Sequence, residues 1–190
     1  MNPVIDTIIY RHSVRSYKPE PISAQVMDAI LRAGCAAPHG GPEEPWRFLV
    51  MQDVDIKYRL VEALKRGIDR SYDGPPKDGY WNAFLGDAPV VIAVAFKPTS
   101  MGEYPPRTED CIGIASAACA IENMLIAAAS LRLGACWVGP PWEAKEDLEE
   151  ILGLQPPWEI LAFVCLGYTD ENIRRDQAKP LGGMVRFLDR

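Results

Sequence analysis

Residues 108–131 read TEDCIGIASAACAIENMLIAAASL, and the predicted fold is arranged around this stretch. Apolar side chains occupy nearly every position around its helical wheel, and Glu122 with Asn123 interrupts them in the middle. A bilayer span needs about 20 nearly uninterrupted apolar residues, so we interpret the stretch as a core helix. A helix that is apolar on all sides belongs at the centre of a molecule or in a subunit interface.

Other apolar runs predict the strands of a central sheet. Residues 89–96 and 160–168 are continuous apolar runs, typical of strands that are buried on both faces. Residues 47–51 and 135–139 predict two shorter strands, and residues 184–188 a last strand near the C-terminus. From this pattern we predict a sheet that is covered by helices on both faces. The pattern leaves open whether the strands run parallel.

Capping signals and apolar periodicity predict the remaining helices. Apolar residues recur at helical spacing in residues 1–10, 24–33 and 143–152. A further helix, capped by Asp53 or Asp55, is expected to end at Gly67. The stretches between the elements, residues 68–88 and 97–107, are polar or rich in proline and are expected to be irregular. Long loops in a compact domain are usually functional, and we interpret the first as a lid.

Composition and charge exclude several classes of protein. The 190 residues contain no repeat or linker, which predicts a single domain, 1–190. The net charge of −6 argues against a nucleic-acid partner, which requires a dense basic face. Neither a polybasic run nor a signal peptide is found, so we expect no membrane association and a cytoplasmic protein. The scattered cysteines are interpreted as buried thiols; they are Cys35, Cys111, Cys119, Cys136 and Cys165.

The strongest local signal for a binding site is the sequence RHSVRSY at residues 11–17. Arg11, Arg15 and Lys18 are fixed cations, and the first eighteen residues contain a single acid. Arginine can hold a phosphate through two parallel hydrogen bonds, and the hydroxyl of Ser13 adds a neutral donor. The segment therefore suggests a phosphate site, with a solvated basic turn as the alternative.

A second signal is the sequence AAPHGGPEEPWRF at residues 36–48. A pair of glycines between prolines predicts a loop of fixed shape, where backbone can approach a flat ligand closely. A tight connector is the alternative. A metal site made of His39, Glu43 and Glu44 is disfavoured, because the chain has only two histidines.

A third signal is the sequence LRLGACWVGPPW at residues 131–142. It is either a plain helix end, strand and turn, or a strand end whose backbone amides face a cofactor. Because the two prolines cannot donate hydrogen bonds, the available N–H groups are those of Val138, Gly139 and Trp142.

Together, in this order and spacing, these stretches resemble the FMN-dependent nitroreductase family. Residues 11–17 are similar to its Arg-(Arg/His)-Ser-x-(Arg/Lys)-x-(Phe/Tyr) motif, and residues 37–48 to its Ala-Pro-Ser-x-x-Asn-x-Gln-Pro-Trp segment. Residues 133–139 look like its Gly-Leu-Gly-x-x-Trp-Ile-Gly stretch. Asp110 and Asn123 match its central helix, and the sequence KPL at 179–181 matches its closing (Arg/Lys)-Pro-Leu. The five matches cover nearly the whole chain.

The resemblance implies an enzyme of known architecture. It implies an α+β, three-layer fold, in which a central mixed or antiparallel sheet is flanked by helices, and an intertwined homodimer with two FMN sites at the subunit interface. The implied activity is hydride transfer from NAD(P)H, through flavin N5, to a nitroaromatic, quinone or similar small-molecule acceptor. A same-fold flavoprotein that dehalogenates, desaturates or fragments flavin is the alternative, followed by a non-catalytic FMN-binding dimer.

The resemblance also implies the residues of the site. The cofactor-binding residues are Arg11, His12, Ser13, Arg15, Pro38, His39, Gly40, Trp137, Val138, Gly139 and Lys179. Of these, Arg11 to Arg15 come from one subunit, and Pro38 to Gly40 from its partner. Arg11, Ser13 and Lys179 suit the phosphate. Arg15 suits the ribityl chain and the N1–C2=O edge, where negative charge accumulates on reduction, and the backbone amide of Gly139 suits N5.

Three positions depart from the family's pattern. Pro42 and Glu44 stand where the family has an asparagine and a glutamine, and Gln177 stands where a cation is frequent. Arg174 or Arg175 is the candidate to compensate for Gln177, and Asn82 is the candidate ligand in the lid. The departures bear on the choice of acceptor and nicotinamide.

Overall fold

One antiparallel sheet lies at the centre of the fold. The computed structural model describes residues 2–41, 43–71, 83–98, 108–171 and 183–188. Within these ranges the strands are Trp46–Met51 (β1), Val90–Phe96 (β2), Gly134–Val138 (β3) and Glu159–Gly167 (β4). They are hydrogen-bonded in the order β1–β2–β4–β3, and each of these pairs is antiparallel. This settles the strand direction that the sequence pattern left open.

Helices cover both faces of this sheet, as predicted. They are Pro3–Tyr10 (α1), Ala24–Cys35 (α2), Val54–Ser71 (α3), Phe84–Asp87 (α4), Thr108–Ser130 (α5) and Lys145–Leu152 (α6). Val90, Ile92 and Val94 of β2 face α2 and α5, whereas Val91 and Ala93 face α3, α4 and α6. Because successive side chains of a strand point to opposite faces, β2 is apolar at every position.

Helix α5 is the core helix that the sequence predicts. Ala117, Ala120, Ile121, Met124 and Ala128 are fully buried on its inner side. By length and composition alone, Asp110–Ser130 would also suffice to cross a membrane. A core helix of a globular protein has the same properties, and α5 contacts α2 and all four described strands.

Gly67 does not end the third predicted helix, so this prediction was wrong. Helix α3 continues to Ser71, and the Asp53 carboxylate caps its start by accepting a hydrogen bond from Ile56 N at 2.9 Å. A Cβ atom at Gly67 would lie 2.5 Å from Cβ and 2.8 Å from the backbone N of Ala144. The glycine is therefore required for close packing of α3 against the 3-10 turn Trp142–Ala144.

Parts of two further predictions are also corrected. Residues 68–71 of the predicted lid belong to α3 and residues 84–87 form α4, while residues 72–82 lie outside the described residues. No strand forms in the described residues 183–188. Met184, Val185, Phe187 and Leu188 are exposed there, whereas the predicted strand would have buried part of them against the sheet.

The cysteines agree only partly with the prediction of buried thiols. Cys136 and Cys165 are buried in the sheet, whereas Cys35, Cys111 and Cys119 are exposed on this single chain. All five are free thiols. The three exposed cysteines lie on α2 and α5, whose apolar residues occupy both the buried side and the outer side of each helix.

Arg132 occupies a strained backbone conformation in the turn between α5 and β3. Its φ is 62°, in the left-handed region, which costs a residue with a Cβ roughly 1 kcal/mol. Its side chain is exposed. We expect Arg132→Gly to raise the free energy of unfolding by about 0.5–1 kcal/mol, measured by urea denaturation at fixed protein concentration. Arg59→Gly, at an exposed position of α3, should instead lower it by about 1 kcal/mol; a destabilised Arg132→Gly protein would contradict the prediction.

Candidate active site

The cationic segment 11–17 is attached to the outer strand of the sheet. Val14 N donates to Ala135 O at 2.9 Å, and Ser13 forms an isolated parallel bridge with Ala135 of β3. The Val14 side chain is buried, and the phenol of Tyr17 donates to Val14 O at 2.6 Å. The four described strands are antiparallel, one of the two arrangements expected. The bridge places Ser13 beside the start of β3, and the segment then runs parallel to the strand, so Arg15 lies nearer its end.

A small cavity separates Arg15 from the end of β3. Its volume is about 280 Å³, and its walls include Arg15, Phe84, Cys136, Trp137, Val138 and Gly139. The Arg15 guanidinium carbon lies 5.9 Å from the centre of the Phe84 ring, which holds the cation in place. No atom lies within 4 Å of the position that a Cβ at Gly139 would occupy. A ligand can therefore approach the Gly139 backbone closely while contacting Arg15.

The thiol of Cys136 forms part of the wall beneath this cavity. Burial raises the pKa of Cys136, while the charge of Arg15 and a hydrogen bond with the Ser13 side chain act in the opposite direction. The net result is a raised pKa, so the thiol is neutral at pH 7 and serves as an apolar wall. Cys136 is not placed to act as a nucleophile.

A second cavity, of about 530 Å³, lies beside Arg11 and His12. Its walls also include Asp6, Arg132 and Glu171. Arg11 Nε is 3.2 Å from Glu122 Oε1, yet this contact lacks hydrogen-bond geometry, and Arg11 Nε remains a buried donor without a hydrogen-bond partner. Buried donors of this kind are rare in folded proteins. Asp6 Oδ1 is likewise buried without a hydrogen-bond partner, so an unpaired donor and an unpaired acceptor belong to residues that line this cavity.

The loop that contains Pro38, His39 and Gly40 lies elsewhere on the chain. His39 contacts the buried Trp46 edge-on, with ring centres 5.6 Å apart, and Gly40 N donates to Ser116 Oγ at 3.4 Å. Arg11 instead contacts α5 at Glu122, about 9 Å further along the helix axis and about 120° around it. Pro38, His39 and Gly40 line neither of these two cavities. Their assignment to different subunits of a dimer stays a prediction.

Several other predicted site residues lie outside the described ranges or have a structural role. Lys179, together with Pro42, Asn82, Arg174, Arg175 and Gln177, lies outside the described residues. Asn123 Nδ2 donates to Ala33 O at 3.0 Å and joins α5 to α2, which is a structural role. In the part of the chain that the structure describes, no group of histidine, cysteine or acidic side chains could hold a metal ion, so His39, Glu43 and Glu44 form no metal site.

Sequence reasoning missed Glu171, which directly contacts the cationic segment. Its Oε1 accepts hydrogen bonds from Arg15 N at 3.2 Å and from Ser16 N at 3.0 Å. Its Oε2 lies 3.9 Å from His12 Nε2. The contacts join residues 155 or more positions apart, and the sequence signal was limited to two acids, Asp170 and Glu171, that follow a buried strand.

Comparison with known proteins identifies the family. The model of a family described as the nitroreductase family matches residues 8–168, most of the chain. The chain belongs to the nitroreductase family. The resemblance that the five sequence motifs indicate is thus confirmed, and the matched range includes the cationic segment, the Pro38 to Gly40 loop and the end of β3.

Individual members of the nitroreductase family agree with this membership. A protein of Archaeoglobus fulgidus, provisionally named NADH dehydrogenase/NAD(P)H nitroreductase, is 30% identical over 172 residues, which are 88% of this chain and 86% of that protein. A Bacteroides fragilis nitroreductase solved with bound FMN is 27% identical with a TM-score of 0.78, covering 99% of this chain and all of that one. The Vibrio harveyi NADPH:FMN oxidoreductase, solved with NAD+, shares the fold, with a TM-score of 0.74 and 21% identity over 94% of this chain and 73% of that one.

Proposed function

We propose that this chain is an FMN-dependent oxidoreductase that passes hydride from NAD(P)H to a nitroaromatic, quinone or similar acceptor. The observation that carries the proposal is the small cavity in which the Arg15 guanidinium and the open backbone of Gly139 face the same space. The nitroreductase family match and the FMN-bound relative from Bacteroides fragilis support the enzyme class and the cofactor.

The residues of the small cavity fit the ring of FMN. When bound, FMN supplies the atom that exchanges hydride, so that no side-chain acid or base is demanded. Arg15 is a fixed cation placed to stabilise negative charge at the N1–C2=O edge of the ring. The backbone of Gly139, which a ligand can approach closely, offers an N–H suited to N5, and the side chains of Phe84, Trp137 and Val138 line the same space.

The second cavity fits the phosphate end of FMN. The Arg11 side chain, which is ion-paired with Glu122, lines this cavity, and phosphate oxygens are strong acceptors for a guanidinium. His12 lines the same cavity, and Ser13 lies between the two cavities on the bridge to β3. We assign Lys179 to the phosphate as well, on the basis of its family motif.

The proposal includes a homodimer with two sites. A complete site requires Pro38, His39 and Gly40 from the partner subunit, because within one described chain they do not line either cavity. The exposed apolar side chains of α1, Val4, Ile5 and Ile8, are available for burial between subunits. A cytoplasmic enzyme that binds neither nucleic acid nor membrane is consistent with the net charge of −6.

A visible spectrum tests the proposed function. The purified protein is expected to be yellow, or to become yellow when FMN is added. Its flavin absorbance should bleach under anaerobic NADH or NADPH and recover when a nitroaromatic or quinone is added. A colourless protein that takes up no FMN would rule the function out. Bleaching without recovery on any such acceptor would favour a different reaction on the same fold, and FMN that no nicotinamide reduces would favour a non-catalytic dimer.

A further inference from the structure

Glu171 makes its hydrogen bonds with the backbone of the cationic segment, while its second oxygen lies 3.9 Å from His12 Nε2. One carboxylate oxygen accepts hydrogen bonds from both Arg15 N and Ser16 N, at 3.2 and 3.0 Å. Hydrogen bonds from N–H groups to an ionised carboxylate are about twice as strong as neutral ones. The contact therefore fixes the peptide from which the Arg15 side chain extends.

The turn that holds Glu171 is itself fastened to the same segment. Lys18 N donates to Tyr168 O at 2.8 Å, and the Lys18 ammonium pairs with the Asp170 carboxylate at 2.6 Å. Glu171 N donates to the hydroxyl of Thr169 at 3.0 Å, which closes the turn after β4. The carboxylate thus approaches residues 15–16 from a part of the chain that directly follows β4, one of the two inner strands of the sheet.

The position of the Glu171 carboxylate is unfavourable for anion binding, which suggests that the residue serves another purpose. Glu171 lines the second cavity together with Arg11 and His12, where an anionic phosphate is proposed to bind. A negative charge in the wall of this cavity opposes the binding of another anion. A favourable contribution of Glu171 to FMN binding would therefore come from the geometry that its hydrogen bonds give to the segment.

We propose that Glu171 is a positioning residue: it holds the Arg15–Ser16 backbone so that the Arg15 guanidinium is preorganised over Phe84 at the cofactor cavity. This inference rests on the proposed function, in which Arg15 contacts FMN. Preorganised groups bind more tightly because the entropy cost of ordering the side chain is not incurred on binding. Loss of Glu171 is then expected to act on FMN only through Arg15.

The anchoring is tested first in the FMN-free protein, by residue-resolved amide exchange. Glu171→Ala is expected to raise the exchange rates of the Arg15 and Ser16 amides about tenfold. Glu171→Gln keeps a neutral acceptor and should give an intermediate rate. Asp28→Asn is the control: it removes an exposed ion pair with Arg32 on α2, away from the segment, and should leave both amides unchanged. Unchanged exchange in Glu171→Ala would overturn the proposal whether or not the protein binds FMN.

The link to the cofactor is tested by a double-mutant cycle on the FMN dissociation constant. Glu171→Ala is expected to raise it about tenfold in the wild-type background and less than twofold in the Arg15→Ala background. Equal effects in the two backgrounds would show that Glu171 acts independently of Arg15 and would overturn the proposal. Tighter FMN binding by Glu171→Ala would do the same, because the carboxylate would then compete with the cofactor. A wild-type protein that binds no FMN would instead refute the proposed function, with the exchange result still standing.

Discussion

Replacement of Arg15 by alanine is expected to raise the FMN dissociation constant about 30- to 100-fold and to lower the flavin reduction potential by about 30–60 mV. Arg15 is the fixed cation of the small cavity, and its guanidinium lies over Phe84 at 5.9 Å. Removing it withdraws charge-assisted hydrogen bonds from the ring edge and leaves negative charge there without a counter-charge. Fluorescence titration gives the affinity, and anaerobic reduction against a reference dye gives the potential.

A second arginine provides the matched control for this experiment. Arg47 also lies over an aromatic ring, with its guanidinium carbon 4.3 Å from the centre of the Trp158 ring, but it lines neither cavity. Arg47→Ala should therefore change the FMN dissociation constant less than twofold and the reduction potential by less than about 10 mV. Arg15→Lys keeps the charge without the planar fork and should recover most of the potential but less of the affinity. An Arg15→Ala protein with unchanged affinity and potential would remove Arg15 from the cofactor site.

The largest loss of stability is expected from Gly67→Val, which should lower the free energy of unfolding by about 3 kcal/mol. A Cβ at this position would meet the Ala144 Cβ at 2.5 Å and the backbone N of Ala144 at 2.8 Å. Backbone cannot move away as a flexible side chain can, so α3 has to separate from the 3-10 turn Trp142–Ala144. Urea denaturation at fixed protein concentration measures the effect.

Two variants isolate the steric cause of this loss. Glu62→Val places the same β-branched residue at an exposed position of α3 and should cost at most about 0.7 kcal/mol, through helix propensity alone. Ala144→Gly removes the nearest of the clashing atoms and should recover part of the stability of Gly67→Val when the two are combined. Wild-type stability of Gly67→Val would show that this contact is not tight in solution.

The core elements could be predicted because their sequence pattern is a direct consequence of burial. β2 is covered on both faces and α5 packs against a helix and the sheet, so both are apolar almost throughout. The strand direction could not be predicted, since antiparallel and parallel strands buried on both faces have the same composition. Gly67 was misjudged for a related reason: a glycine that ends a helix and one that admits a neighbouring backbone are identical in sequence.

The candidate site was predictable to the extent that it is local. Ser13 and Arg15 belong to one motif and Trp137 and Gly139 to another, and the bridge between Ser13 and Ala135 brings the two together. Glu171 was missed because its contact depends on where β4 ends, which no local pattern specifies. Residues 38–40 match a family motif, yet the described chain leaves them on a different side of α5 from Arg11, and no local pattern predicts that separation.

The bridge between Ser13 and Ala135 also affects solubility. β3 is an outer strand of the described sheet, and an outer strand with free N–H and C=O groups is a template for pairing with another molecule. Val14 N occupies the Ala135 carbonyl on that open side. The peptide that presents Arg15 to the cavity therefore also shields the sheet from edge-to-edge self-association. A truncated chain without this peptide would lose Arg11 and Arg15 and would also become prone to aggregation.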